Sequence, residues 1–150
     1  MYKLLLFICL LLLSPVSFAE GADGIPQSIL DQIYKKHPNA ADFTVEKKNH
    51  YSQDLLKIHY KEGEEKYVDY FRPDGHYFVA GHLIAADDMM FTDSKEKLKA
   101  EFNDYKIRDA VLIVNPNGNG EEFDVLLENG GKLYAVLIDK KGNIEKSEVE

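Results

Sequence analysis

The chain has 150 residues and a formal net charge of −8 at pH 7. This acidic balance argues against nucleic acids and anionic membranes as partners, because both attract basic surfaces. Its single cysteine, Cys9, lies in an N-terminal apolar segment that we expect to be removed. The mature chain would then have neither disulfides nor thiolate metal ligands.

The first 19 residues have the organisation of a secretory signal peptide. Lys3 provides the positive charge, residues 4–13 form an unbroken apolar run, and Ser17 and Ala19 are the small residues expected at a cleavage site. The run is shorter than the roughly 20 residues that a membrane-spanning helix needs. We therefore predict cleavage near Ala19 and export to the periplasm or the extracellular space, with no transmembrane segment in the mature chain. Loss of Lys3 takes the formal charge to −9.

The spacing of apolar residues predicts a first helix that begins near Pro26. Proline suits the first turn because its missing N–H would be unpaired there in any case. Pro38 disfavours helical geometry at the residue before it, so the helix is expected to end at His37. Between these prolines the apolar residues follow the 3.6-residue period of one buried helix face: Ile29, Leu30, Ile33 and Tyr34.

From residue 42 onwards the apolar period changes from 3.6 to 2, which indicates strands. Leu56, Ile58 and Tyr60 alternate with polar residues, as expected for a strand with one buried face. Gly63 and Gly75 then mark two short turns, because glycine adopts the positive φ of tight turns at little cost. Turns this short make successive strands antiparallel, so the first half predicts a helix followed by a four-stranded meander.

A similar order of segments returns 67 residues later, with glycines again at both turns (Gly130 and Gly142). A second helix is expected near residues 93–105, where the spacing of an acidic pair resembles a capping box. We therefore predict an α+β fold of two tandem repeats, residues 20–86 and residues 87–150, each with one helix and a four-stranded antiparallel meander. Joining the sheets edge to edge would form one compact unit with both helices on one face and the other face open.

Three stretches of the first half carry a resemblance to a known family: residues 25–33 (IPQSILDQI), residues 37–40 (HPNA) and residues 67–75 (YVDYFRPDG). They resemble a PepSY-like domain, whose fold is similar to that of the secreted beta-lactamase inhibitor protein, a tandem of two helix-plus-four-strand repeats. The resemblance implies an envelope protein that binds or inhibits other proteins. That inhibitor grips its enzyme with the open sheet face and contains disulfides, which this chain cannot form. Inhibition of beta-lactamase is therefore not inferred.

Aromatic residues are concentrated in the first half of the chain, where packing in the core is their ordinary role in strands. Residues 66–71 nevertheless have large side chains on both faces of the predicted strand, so a second face needs a cover or a partner. Asp69 lies on the same face as Tyr67 and Phe71, which suggests that this face is the open one. Together with His59 from the neighbouring strand, these residues form the predicted partner-binding surface.

The remaining polar residues give weaker signals. The five histidines show neither helical i, i+4 spacing nor a metalloprotease motif, so no metal site or cofactor is predicted. No nucleophile, base and acid occur in a recognisable catalytic pattern, which favours a non-enzymatic protein. The sequence thus predicts an exported protein-binding module, including the possibility of an inhibitor of a secreted or envelope enzyme. The alternative is a small-ligand or metal sensor that uses His59, His76 and Asp74.

Overall fold

Two helices and eight strands form the regular structure of the described residues. The computed structural model describes residues 24–88, 94–114 and 120–149. A short 3-10 turn at Ala86–Asp88 precedes the second helix. The elements in chain order are α1 Gln27–Lys36, β1 Ala41–His50, β2 Gln53–Glu62, β3 Glu65–Phe71, β4 Tyr77–Leu83, α2 Ser94–Glu101, β5 Tyr105–Val114, β6 Glu121–Asn129, β7 Lys132–Asp139 and β8 Ile144–Val149.

The predicted signal peptide, residues 1–19, lies outside the described residues, as does the first acidic residue of the predicted capping box, Asp93. Within the described chain no helix has the length and apolar character needed to cross a membrane.

Helix α1 confirms the first predicted helix, beginning directly after Pro26 and ending before His37. Its buried residues are the ones that the 3.6-residue period selects, Ile29, Leu30 and Ile33. Two lysines in the last turn add a favourable interaction with the negative end of the helix dipole. Helix α2 is shorter and contributes one large apolar residue, Leu98, to the core.

All eight strands form one antiparallel sheet in which each strand pairs with its neighbours in the sequence. The two halves of the sheet meet where β4 pairs with β5, through Gly81↔Ile113, His82↔Leu112 and Leu83↔Val111. Gly81 is needed at this junction because a Cβ there would lie 2.4 Å from Val111 and 2.9 Å from Val68. The side chain of any other residue would push these two core residues apart.

The helices cover one face of the sheet and form two apolar clusters with it. Helix α1 packs its buried residues against β2 and β3, where Ile58, Tyr60 and Phe71 are buried. Helix α2 and Phe102 pack against β5, β6 and β7. A third cluster lies on the opposite face and joins both halves of the chain: Leu55, Val68, Tyr70, Val111 and Ile113.

The sheet is curled into a half-barrel whose concave face is the one without helices. Lys48 on β1 forms an ion pair with Asp124 on β6, five strands away in the sheet order. At about 4.8 Å per strand, a flat sheet would hold these two strands about 24 Å apart. The ion pair is therefore possible only because the sheet curls towards this face.

The prediction of two helix-plus-meander repeats is wrong, although the chain is α+β. The structure is a single curled half-barrel sheet of eight strands with two short helices, and it is not divided into two similar units. The third apolar cluster and the Lys48–Asp124 ion pair both join the first half to the second. The glycine pattern reflects turn geometry, since Gly63 and Gly130 have φ values of 61° and 60°. Local turns recur, but the two halves share one sheet and one apolar cluster on its concave face.

Replacing Phe71 with alanine should lower the free energy of unfolding by about 3–5 kcal/mol, because it empties the space of a fully buried ring beneath α1. Urea denaturation of the purified chain measures this loss. Leu83→Ala, at a position that is 37% exposed, is the control and should change stability by about 0.5 kcal/mol or less. Equal effects of the two substitutions would contradict the placement of Phe71 in the core.

Candidate functional site

The concave face carries most of the buried charge of the described chain. Strand alternation places Lys48 of β1, Lys57 of β2, Tyr70 of β3, Asp109 of β5 and Asp124 of β6 on this face. Four of the five are buried, and Asp109 is half-buried. Five strands therefore contribute one polar group each to the interior of the half-barrel.

The carboxylate of Asp124 is the centre of this network and is fully buried. Lys48 donates to its Oδ1, and the Tyr70 hydroxyl donates to its Oδ2 at 2.6 Å. The Lys57 Nζ lies 3.2 Å from the same Oδ2. Burial favours the neutral acid, but the two lysines and these hydrogen bonds more than offset that effect, so the Asp124 pKa lies below its ordinary value.

Lys57 extends the network towards the open end of the concave face. Its Nζ donates to Asp109 Oδ2 at 2.8 Å, and the Nε2 of His59 lies 3.8 Å from the same oxygen. Burial and the positive charge of Lys57 lower the pKa of His59. His59 is therefore mainly a neutral imidazole at pH 7, with its ring half-exposed at the surface.

A groove of about 610 Å³ lies beside His59 at this open end of the concave face. We call it the concave groove. Apolar and charged side chains both contribute to it, and Leu83 is one of the large apolar residues that remain exposed in the structure. The residues that line the groove are Asp42, Thr44, Glu46, His59, Tyr60, Lys61, Lys66, Tyr67, Leu83, Asp109 and Leu126.

The other end of the concave face is closed by a buried pair from β1 and β6. His50 Nε2 lies 3.1 Å from Glu122 Oε2, and both side chains are almost fully buried. The distance is that of a close polar contact, although the angles do not meet those of a hydrogen bond. Burial lowers the pKa of His50. Burial, reinforced by the nearby charges of Asp139 and Glu145, raises the pKa of Glu122 to about 7.

The four residues predicted to share an open binding surface lie on different sides of the sheet. His59 is on the concave face, whereas Asp69 and Phe71 are on the helix-covered face, beneath α1. The face that carries Asp69 was expected to be open, but Asp69 is only 9% exposed, and the Tyr60 hydroxyl donates to its buried carboxylate at 2.8 Å. Tyr67 packs its ring on Tyr60 and also lines the concave groove with His59. Their role in partner binding stays a prediction.

The residues of the predicted sensor site, His59, His76 and Asp74, do not lie together in one site. His76 Nδ1 pairs with Asp74 Oδ1 at 3.0 Å in the exposed turn between β3 and β4. His59 is instead beside Asp109 on the concave face. Across residues 24–88, 94–114 and 120–149, no group of three or more histidine or acidic side chains is arranged to hold a metal ion.

Comparisons with known proteins give a likeness of fold without a family. No protein-family model and no curated protein match the chain. Among solved structures, a Bacteroides eggerthii protein described as periplasmic is similar, with a TM-score of 0.52, 16% identity, and coverage of 83% of this chain and 88% of that one. A BLIP-like protein from Bacteroides fragilis has a TM-score of 0.47 and 18% identity, over 82% and 85% of the two chains. At this identity the first likeness shows a shared fold alone.

Replacing Asp124 with asparagine should lower the free energy of unfolding by about 3–5 kcal/mol, because it leaves two buried lysines without their shared counter-ion. Chemical denaturation at pH 7 measures the change. Asp109→Asn is the matched control, since this carboxylate also binds Lys57 but is partly exposed to water. If the two substitutions were equally mild, Asp124 would not be the centre of the network.

The His50–Glu122 pair leads to a prediction about pH. Below pH 7 folded Glu122 keeps a proton, because its pKa is raised to about 7, while burial lowers the pKa of His50 and opposes a second proton there. In the unfolded chain the single proton is instead on the histidine, since the ordinary values are 6.5 and 4.5. The two shifts change the number of bound protons in opposite directions on folding, so their effects on the pH dependence of stability oppose each other.

Each single variant should show a dependence of unfolding free energy on pH that is weaker in the chain with both residues. In Glu122→Gln the depressed His50 pKa remains, so stability should fall as the pH falls through 6.5. In His50→Gln the raised Glu122 pKa remains, so stability should fall as the pH rises from 4.5 to about 7. Unfolding free energies measured at pH 5, 6 and 7 should change by about 1–3 kcal/mol in His50→Gln, and in the opposite direction in Glu122→Gln. Slopes of the same sign in both variants would contradict this proton arrangement.

Proposed function

We propose that the chain is an exported, non-enzymatic protein-binding module that grips its partner with the concave groove. One observation carries the proposal: the concave face is closed by buried charges at one end and open at the other. If side chains filled the whole interior of the half-barrel, no concave surface would remain for a partner to contact. Here the filled end provides a rigid wall, and the open end provides a recess with fixed side chains.

The composition of the concave groove suits a protein partner. Leu83 and Leu126 provide apolar contact area, while Asp42, Lys61 and Lys66 supply charged groups of both signs. Protein interfaces commonly combine an apolar centre with a polar rim in this manner. His59 lies 3.8 Å from Asp109 on paired strand β2, so its backbone needs little further ordering when a partner binds.

The proposal also includes export of the protein and inhibition of an enzyme to which it binds. The predicted signal peptide supports export, and the fold likeness to a Bacteroides protein described as periplasmic agrees with it. A module that occludes a surface of a secreted or envelope enzyme would inhibit that enzyme, as the PepSY-like resemblance of residues 25–33, 37–40 and 67–75 also implies. Membership of that family is part of the proposal.

Affinity purification from envelope extract of the source organism tests the concave groove. Leu83→Asp should abolish capture of the partner that the unmodified chain retains, because it places a charge where apolar contact is expected. His59→Ala should weaken capture. Leu133→Asp is the matched control, since Leu133 is also 37% exposed but does not line the groove.

The proposal requires the captured protein to be lost with Leu83→Asp and kept with Leu133→Asp, while both variants retain the circular dichroism spectrum of the unmodified chain. Equal retention by all variants would exclude the concave groove as the binding surface. Loss with Leu133→Asp alone would place the surface elsewhere on the sheet.

A further inference from the structure

A second cavity, of about 310 Å³, lies on the face of the sheet opposite the concave groove. Helix α1 forms one wall and strands β3 and β4 form the other. We call this cavity the α1 pocket. It is lined by Gln32, Ile33, Lys35, Lys36, Asp69, Phe71 and Tyr77.

Asp69 supplies a partly satisfied carboxylate to the α1 pocket. Its side chain is nine-tenths buried, and within the described chain the Tyr60 hydroxyl is its one hydrogen-bond donor. A carboxylate can accept several hydrogen bonds, so Asp69 retains capacity for a further donor. Because Asp69 lines the α1 pocket, a molecule that enters the pocket can supply this donor.

The aromatic side of the α1 pocket already holds an ammonium group. The Nζ of Lys36, from the last turn of α1, lies 4.6 Å from the centre of the Tyr77 ring, a cation–π distance. Burial raises the pKa of Asp69, and the hydrogen bond from Tyr60 and the positive charge of Lys36 offset part of that rise. Phe71 packs edge-on against Tyr77 and makes the wall behind them apolar. The charge of Lys36 therefore acts both on an aromatic ring and on a buried carboxylate.

We propose that the α1 pocket is a binding site for a primary ammonium group, and that Lys36 is an exchangeable occupant displaced by a lysine side chain of a partner protein. The Lys36 ammonium group over the Tyr77 ring shows that this ring accepts such a group. The long side chain of Lys36 is at the surface and can swing away from Tyr77. The net charge of −8 would draw lysine-bearing partners towards the molecule.

Nuclear magnetic resonance titration of the purified chain tests the site with a defined probe. Nα-acetyl-lysine methylamide should shift the backbone amide signals of Asp69, Phe71 and Tyr77. The matched uncharged probe, Nα-acetyl-norleucine methylamide, should leave them unchanged. An n-butylammonium arm separates the two sources of the group: binding equal to that of the lysine probe assigns recognition to the ammonium alone, and weaker binding shows that the peptide groups also contribute. Both results support an ammonium site.

Four substitutions test how the α1 pocket binds the probe. Lys36→Ala should strengthen binding of the lysine probe roughly two- to fivefold, because it removes the internal competitor. Lys35→Ala is its control, since Lys35 lines the same pocket but it is Lys36 whose ammonium group lies over the Tyr77 ring. Asp69→Asn should weaken binding by about tenfold or more through loss of a charged acceptor. Tyr77→Leu provides a second test that leaves the Tyr60–Asp69 hydrogen bond in place.

The proposal is overturned if the lysine probe leaves these amides unshifted in both the unmodified chain and Lys36→Ala. It is also overturned if the norleucine probe binds equally well, or if Asp69→Asn and Tyr77→Leu bind as the unmodified chain does. None of these readouts involves the concave groove, so the α1 pocket and the proposed function stand or fall separately.

Discussion

The structure depends on one buried carboxylate. Asp124 accepts hydrogen bonds from Lys48 and Tyr70 and faces Lys57, so strands β1, β2, β3 and β6 all meet at a single side chain. Removing the Asp124 carboxylate would leave the ammonium groups of Lys48 and Lys57 buried without it, and removing the lysines would leave the carboxylate buried and unpaired. Either state is far less favourable than the complete network. The sheet therefore stays curled, and the curl in turn creates a concave face.

The same network divides that face into two ends with different properties. Towards His50 and Glu122 the side chains are buried and the end is closed. Towards His59 and Asp109 the groups are half-exposed and line an open groove. On the opposite face, Asp69 is buried beneath α1, where its carboxylate lines the α1 pocket. The carboxylates of Glu122, Asp109 and Asp69 thus lie in three different environments: the closed end, the concave groove and the α1 pocket.

Local signals in the sequence predicted helix α1 and the glycine turns, because both depend on residues within a few positions of one another. The curl could not be predicted in this manner, since Lys48 and Asp124 are 76 residues apart and charged residues in strands ordinarily face water. The error over Asp69 has a related cause. A strand that is apolar on both faces does not indicate which face a helix will cover, and the hydrogen bond from Tyr60 makes the buried position acceptable. His59 was selected because it is a polar residue on the strand next to the aromatic segment, whereas Leu126, which lines the same groove, resembles an ordinary core residue.

The most direct test of this account is a nuclear Overhauser contact between the ε-methylene protons of Lys48 and the β-protons of Asp124. The account predicts a clear contact, because the ion pair holds the two side chains together across the half-barrel. In a flat or loosely curled sheet the two strands would be about 24 Å apart and no contact would be observed. Its absence from a folded sample would contradict the buried network, and with it the origin of the concave groove.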